Sequence, residues 1–233
     1  ARHILKLNEL DEVQEAIEKR DYGERVHTIL QRFHERYPQV SGQSLDGLEA
    51  ALRSLSSEAF ADLLAHDFAA RAWLARWFKS LPAYLAWQVE NEAQGWRYAV
   101  AEQDFELQLE GVRLRGRIDR LDQNGSERRV FDYKTQSDQV LRNKLKEAGE
   151  DVQLASYAWV VQASAAEFVS IEDGKVRSIA PPQELEQLAR LNAQRLEQVM
   201  AQLRAGAGLP ANGSDAVCGY CEMRGLCRKG EWV

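Results

Sequence analysis

Two aspartates and a lysine, Asp119, Asp132 and Lys134 in the pattern D-x₁₂-D-x-K, are the residues of this chain best suited to act together chemically. The turn-forming pair Asn124-Gly125 falls between the aspartates, so the stretch predicts two strands joined by a hairpin. Side chains alternate faces along a strand, which puts Asp132 and Lys134 on one face. A loop with an even number of residues puts Asp119 on that face as well; an odd number puts it on the other. In the even case two carboxylates and an ammonium converge. Oxygen ligands of this kind suit hard divalent cations such as Mg²⁺. A metal beside a lysine suits in-line attack on a phosphodiester, because the metal activates water and the ammonium stabilises developing negative charge. The opposite face carries Leu114, Ile118, Phe131 and Tyr133 and is predicted to pack on helices. Arg115, Arg117, Asp119, Asp132 and Lys134 then face a cleft. By spacing alone, the same residues also fit a surface hairpin with scattered salt bridges.

The elements that must position this hairpin lie on both sides of it. Glu9–Lys19 and Tyr22–Arg36 predict two helices, Gln39–Ser44 a loop, and Leu45–Gln94 a helix-rich run with Pro82 as a kink or break. Trp73, Trp77, Leu81, Tyr84 and Leu85 recur there at helical spacing and predict core. Gly95 ends the helical region. Strands follow at Trp96–Ala101, Phe105–Leu109, Val112–Leu121 and Arg129–Thr135. Gln136–Glu150 is a solvated loop or surface helix, and Val152–Gln162 is a helix. Glu167–Ile171 and Lys175–Ile179 are strands around the turn Glu172-Asp173-Gly174, and Pro181-Pro182 opens a long helix reaching Ala205.

Other residues on these elements have chemical potential. His27 flanks the apolar stripe Val26, Ile29, Leu30 and Phe33, a position where a packed or solvated histidine is the ordinary outcome. Gln153 and Tyr157, at i and i+4, share a helical face. Glu102 competes with Asp104 and Glu106 as an acid entering the site, and strand parity does not decide among them. The three cysteines, Cys218, Cys221 and Cys227, form C-x₂-C-x₅-C. They cannot all pair as disulfides, and closely spaced thiolates suit zinc or an iron–sulfur cluster. For zinc, His34 or His66 could supply a fourth ligand; His34 otherwise reads as structural.

The segments GRIDRLD, VFDYKT and QLASY together resemble the PD-(D/E)XK nuclease superfamily, and in particular its RecB/AddB-type nuclease domain. The resemblance implies an α/β fold with a restriction-endonuclease-like core, a mixed sheet flanked by helices, after an N-terminal helical region. It divides the chain into residues 1–95, helical and bearing a metal-binding histidine; 96–206, the nuclease core with its following long helix; and 207–233, a cysteine-bearing tail. Asp119 and Asp132 are implied as metal ligands and Lys134 as the catalytic lysine. YGERVHTILQRFHERY is similar to the family helix that supplies a histidine ligand, here His27, and the Tyr133 carbonyl joins the set. Gln153 and Tyr157 match the family's Q-x-x-x-Y element, and Glu102 its additional upstream acid. Mg²⁺ or Mn²⁺ is the implied cofactor and DNA the substrate.

CGYCEMRGLCR is similar to the C-terminal part of the AddB-type staple, in which Cys218, Cys221 and Cys227 would bind a [4Fe–4S] cluster with one upstream cysteine. On that reading the chain is a fragment cut just after that cysteine, with the cluster incomplete and the tail near the N-terminus. The implied parent works with an AddA-like helicase–nuclease partner in double-strand-end processing and recombinational repair.

Composition sets broad bounds. The 233 residues, 45% hydrophobic with six tryptophans, are enough to bury one sizeable core. No apolar run is long enough to span a bilayer and no signal peptide is present, so a reducing cytoplasm is expected. The net charge of −6 does not advertise nucleic-acid binding. Arg113, Arg115, Arg117, Arg120, Arg128 and Arg129, however, gather on the hairpin, and Lys144 and Lys146 follow it, as candidate phosphate contacts. Two other classes compete: a catalytically silent DNA-binding or scaffold domain, and a zinc-binding interaction module with an incidental hairpin.

Overall fold

A computed structural model describes residues 19–109, 112–146 and 151–208, together with 218, 219, 221 and 227. The chain divides into two compact units, Ala16–Glu197 and a second made of Ala1–Glu15 with Gln198–Val233. The first unit holds the sheet and the candidate site. The expected helix Glu9–Lys19 lies outside the described residues except for Lys19, as does the neighbourhood of the N-terminus where the cysteine tail is expected.

Helix α1 (Lys19–Arg36) forms where Val26, Ile29, Leu30 and Phe33 recur at helical spacing, and all four are fully buried. Helix α2 (Leu45–Ala59) begins at Ser44, whose Oγ accepts the Gly47 N–H at 3.4 Å. The short α3 (Ala61–His66) leads to α4 (Ala69–Ala93). Trp77, Leu81, Tyr84 and Leu85 of α4 enter the same core, and Trp77 Nε1 donates to Ser56 Oγ of α2 at 2.7 Å. Helix α4 continues through Pro82, so of the expected kink or break the break is excluded. Proline removes one backbone donor, but buried Leu81, Tyr84 and Leu85 around it hold the helix to the core.

A mixed five-stranded sheet follows: β1 (Arg97–Leu109), β2 (Val112–Asn124), β3 (Glu127–Lys134), β4 (Ala165–Glu172) and β5 (Lys175–Ile179), in that spatial order. Only β3 and β4 are parallel; the other neighbours are antiparallel. A parallel pair needs a crossover, and helices α5 (Asp138–Lys146) and α6 (Gln153–Val161) occupy it. Helix α7 (Leu185–Arg204) comes last. Hydrophobic clusters cover both sides of the sheet. One joins α1, α2 and α4 to Phe131, Tyr133, Val169 and Ile171. The other joins α5 and α6 to Val130, Ala166, Phe168 and Ile179. Strand β3 is therefore buried on both faces, as a central strand of an α/β sheet should be.

Three expectations are corrected. The predicted strands Trp96–Ala101 and Phe105–Leu109 are one strand, β1, because the polar residues between them still pair with β2. The hairpin turn is Gly125-Ser126, one residue later than Asn124-Gly125, with Gly125 at φ +60. Ile118 does not share the face of Phe131 and Tyr133; it packs with Leu121 and Val130 on the α5–α6 side. Strict alternation fails between Ile118 and Leu121, where pairing with β3 stops.

Candidate active site

The site is built where the sheet opens. The β2–β3 ladder runs from Asn124↔Glu127 to Arg120↔Phe131 and ends there. The next positions in register are Asp119 and Asp132, so the two-residue turn gives the even parity that aligns them. On the other side, β1–β2 pairing passes from Ala101↔Arg120 to Gln103↔Ile118 and skips Glu102 and Asp119. Glu102 sits at φ +49, a left-handed conformation that costs a non-glycine residue about 1–3 kcal/mol. Three carboxylates thus occupy one row of three adjacent strands, with the backbone strained where the first of them enters.

Helix α1 brings His27 to this row. Its Nε2 lies 2.9 Å from the Tyr133 carbonyl oxygen, which can only accept, so Nε2 carries a proton. Its Nδ1 faces Asp119 Oδ2 at 3.4 Å and Glu102 Oε1 at 3.7 Å. The Tyr133 N–H donates to Asp119 Oδ2 at 2.8 Å. One residue's backbone therefore holds both His27 and Asp119. Among the described residues, His27, Glu102 and Asp119 form a set with ligand atoms all within 4.8 Å of one another; Asp132 is not in that set.

Asp132 is fully buried and held from α6. Gln153 Nε2 donates to its Oδ1 at 2.7 Å and lies 3.0 Å from Tyr157 Oη, so the i, i+4 pair acts as one unit. Asp151 Oδ1 accepts the Gln153 N–H at 2.9 Å and fixes the first turn of that helix. Lys134 Nζ is 2.5 Å from Asp132 Oδ2 and sits over the Phe168 ring at 5.4 Å. Tyr157 in turn rests edge-on against Phe105, 5.9 Å between ring centroids. Phe105 lies over Gly116, where a Cβ would come within 2.5 Å of the ring. The glycine of GRIDR is there to admit an aromatic ring.

The electrostatics are those of crowded acids. Burial alone would push the His27 imidazolium down, but Glu102, Asp119 and Asp132 carry its pKa up to about 9. Burial, then the Asp132 charge, pushes the Asp119 carboxyl up to about 7, against the pull of His27. Burial also pushes Asp132 up, and Lys134 pulls it back. The donor set fits a hard divalent cation. Carboxylate oxygens and an imidazole converge, and the buried Asp132 Oδ2 has the Lys134 ammonium beside it. A bound divalent cation would relieve the repulsion that holds protons on the site.

Other expected residues lie elsewhere. Arg113 and Arg115 pair with Glu106, and Arg117 pairs with Asp104. Arg128 donates to the Val161 carbonyl, and Arg129 stacks on Trp96 at 4.0 Å. The six arginines therefore form no bare basic patch. Asp104 and Glu106 pair with these surface arginines, whereas Glu102, although also 3.8 Å from Arg117, is the acid that lies beside His27 and Asp119. Arg120, read as a phosphate contact, is completely buried. His34 is buried too, with Nε2 occupied by Tyr84 Oη at 2.6 Å and Arg120 Nη1 at 3.1 Å. The available sign was Asp122 at i+2 from Arg120, two opposite charges on one strand face. In the second unit, the Cys221 N–H donates to the Cys218 carbonyl at 3.4 Å. Among the described residues, no helix is long and apolar enough to cross a membrane.

No curated protein matched the chain. Among solved structures, one titled "Crystal structure of SSO0001" shares 17% identity over 87% of this chain and 95% of that chain, with a TM-score of 0.35. A family model described as the PD-(D/E)XK nuclease superfamily matches residues 1–228.

Proposed function

Because the chain belongs to the PD-(D/E)XK nuclease superfamily, we propose that it hydrolyses DNA phosphodiester bonds with Mg²⁺ or Mn²⁺ held by His27, Glu102, Asp119 and Asp132. One observation supports this reading above the rest: three carboxylates stand in one row of three adjacent strands, flanked by His27 and Lys134. A bound divalent cation would supply Lewis acidity toward the phosphate and lower the pKa of its water. The protein's own groups do the rest. Asp119 is aimed by the Tyr133 N–H and Asp132 by Gln153, so neither carboxylate must reorganise. Lys134, with its side chain about one-quarter exposed, reaches the cleft while Asp132 fixes its ammonium. It orients the attacking water and stabilises charge gathering on the phosphate oxygens. Hydrolysis joins the water oxygen to phosphorus, breaks one P–O ester bond and leaves the proton on the departing sugar oxygen.

The finer reading is a RecB/AddB-type domain in cytoplasmic double-strand-end processing, acting beside an AddA-like helicase–nuclease subunit. Residues 96–206 would be the nuclease core after a helical region, 1–95. Cys218, Cys221 and Cys227, in the tail 207–233, would give three thiolates to a [4Fe–4S] cluster, which needs a fourth ligand. The salt-bridged arginines are compatible with DNA, since exposed pairs of this kind are worth only about 0–1 kcal/mol and exchange readily for phosphate.

The test is degradation or nicking of linear DNA with Mg²⁺ or Mn²⁺, comparing wild type, Asp132→Ala and wild type in EDTA. Metal-dependent cleavage that disappears in the folded variant is expected. Wild-type protein that leaves DNA intact with either metal, or an Asp132→Ala variant that cuts normally, would overturn the proposal.

A further inference from the structure

We propose that Arg120 is a positioning residue for the metal ligands, acting from beneath the site through the phenol of Tyr133; this rests on the nuclease reading above. Arg120 has no solvent exposure, and neither does its partner Asp122. The pair is bidentate, Nε to Oδ1 at 2.6 Å and Nη2 to Oδ2 at 2.7 Å, and Asn91 Nδ2 donates to the same carboxylate at 2.7 Å. Nη1 donates to Tyr133 Oη at 3.1 Å and His34 Nε2 at 3.1 Å, with Tyr84 Oη at 3.4 Å.

Arg120 can only donate, so Tyr133 Oη accepts one of its Nη1 protons. His34 Nε2, 3.1 Å from Nη1 and 2.6 Å from Tyr84 Oη, has one lone pair, which these two neighbours share. Tyr133 Oη also shares a hydrogen bond with Tyr84 Oη at 3.0 Å. The phenol of Tyr133 is therefore held from two sides, by Arg120 and by Tyr84.

Tyr133 matters because its N–H holds Asp119 and its carbonyl accepts from His27. It also lies between Asp132 and Lys134 in sequence. On the β4 side its backbone is fixed by parallel pairing with Val169. On the β2 side the ladder has already ended, at Arg120 itself. Arg120 thus closes the last rung with its backbone and reaches past it with its side chain, anchoring the residue that the open sheet would leave loose. A buried ion pair is weak evidence for stability, since apolar residues often pack as well or better in its place. Its contact with Tyr133, the residue that holds Asp119 and His27, gives it an orienting role, as for outer contacts that aim the ligands of other metal sites.

The experiment uses the whole chain and two variants, Tyr133→Phe and Arg120→Lys, with Leu52→Ala, in the same hydrophobic core but with no polar group to offer Arg120 or Tyr133, as a destabilised control. Mn²⁺ affinity is read by calorimetry, and kcat and KM for DNA by cleavage, at a temperature where circular dichroism shows each protein folded. Tyr133→Phe should lose about 10–100-fold in Mn²⁺ affinity, kcat or both, the range seen when outer contacts are removed, with KM for DNA unchanged. Leu52→Ala should keep wild-type values. If Arg120→Lys does not fold, Tyr133→Phe, nearly the same volume, decides alone. Wild-type Mn²⁺ affinity and kcat in folded Tyr133→Phe would overturn the inference and spare the nuclease reading. If wild type binds Mn²⁺ without cutting DNA, that reading falls, while weaker Mn²⁺ binding by Tyr133→Phe still supports the inference. A wild type that binds no Mn²⁺ overturns both.

Discussion

Replacing Asp119 with asparagine should make the metal-free protein more stable while destroying its activity. Asparagine keeps an oxygen to accept the Tyr133 N–H, now 2.8 Å from Asp119 Oδ2. It also removes a charge that burial and Asp132 oppose, which lift the Asp119 pKa from 3.8 to about 7. Each unit is worth about 1.4 kcal/mol, so ionising Asp119 in the folded state costs at most about 4 kcal/mol. Relaxation around the ionised group and entry of water should reduce this to about 2 kcal/mol. Because the folded-state pKa is raised, the unfolded chain gives up this proton first. The cost is absent below pH 3.8, grows between 3.8 and about 7, and is complete above that. Asp119→Asn should therefore melt about 4–8 °C higher than wild type at pH 8 in EDTA, using about 2–4 °C per kcal/mol for a domain of this size. At pH 4 the two midpoints should coincide. Equal midpoints at pH 8, or a gain that persists at pH 4, would refute the assignment of strain to this carboxylate.

Three further outcomes are expected. Lys134→Ala should abolish cleavage while leaving folding and DNA binding nearly intact, because its ammonium acts chiefly on charge developed in the transition state; equal losses of affinity and turnover would contradict that role. Mn²⁺ affinity by calorimetry should rise about tenfold per pH unit between 7 and 9, since His27, held up to about 9, must release a proton before Nδ1 can bind a metal; a flat profile would count against His27 as a ligand. Gly116→Ala should cost about 1–3 kcal/mol in denaturant unfolding by overpacking Phe105, and adding Phe105→Leu should restore part of it.

Much of the site could be read from the sequence because strand periodicity carries it. Asp132 and Lys134 share a face by counting, and a two-residue turn fixes Asp119 relative to them. What could not be read lies where periodicity fails. Glu102 enters the row from an irregular position at φ +49, so counting along β1 could not favour it over Asp104 or Glu106. Ile118 changes sides because no partner on β3 holds it to the pleat. Arg120 was misread because residue type reports charge, whereas its burial depends on Tyr84 and His34, distant in sequence, closing over it. The helices were legible by their stripes, Val26 to Phe33 above all, and at Pro82 tertiary packing keeps the helix unbroken despite its local cost.

The parallel pairing of β3 with β4 bears on the order of events during synthesis. His27, Glu102, Asp119, Asp132 and Lys134 have all been made once Lys134 is added, yet thirty residues separate Lys134 from the start of β4 at Ala165. At roughly 5–20 residues per second, the nascent chain spends seconds with β3 as an outer strand. During that interval Gln153 is not yet available to hold Asp132, and Phe168 is not yet beneath Lys134. A site assembled this way stays incomplete until the crossover has been translated, so the unfinished polypeptide carries Asp132 and Lys134 without the side chains that later fix them.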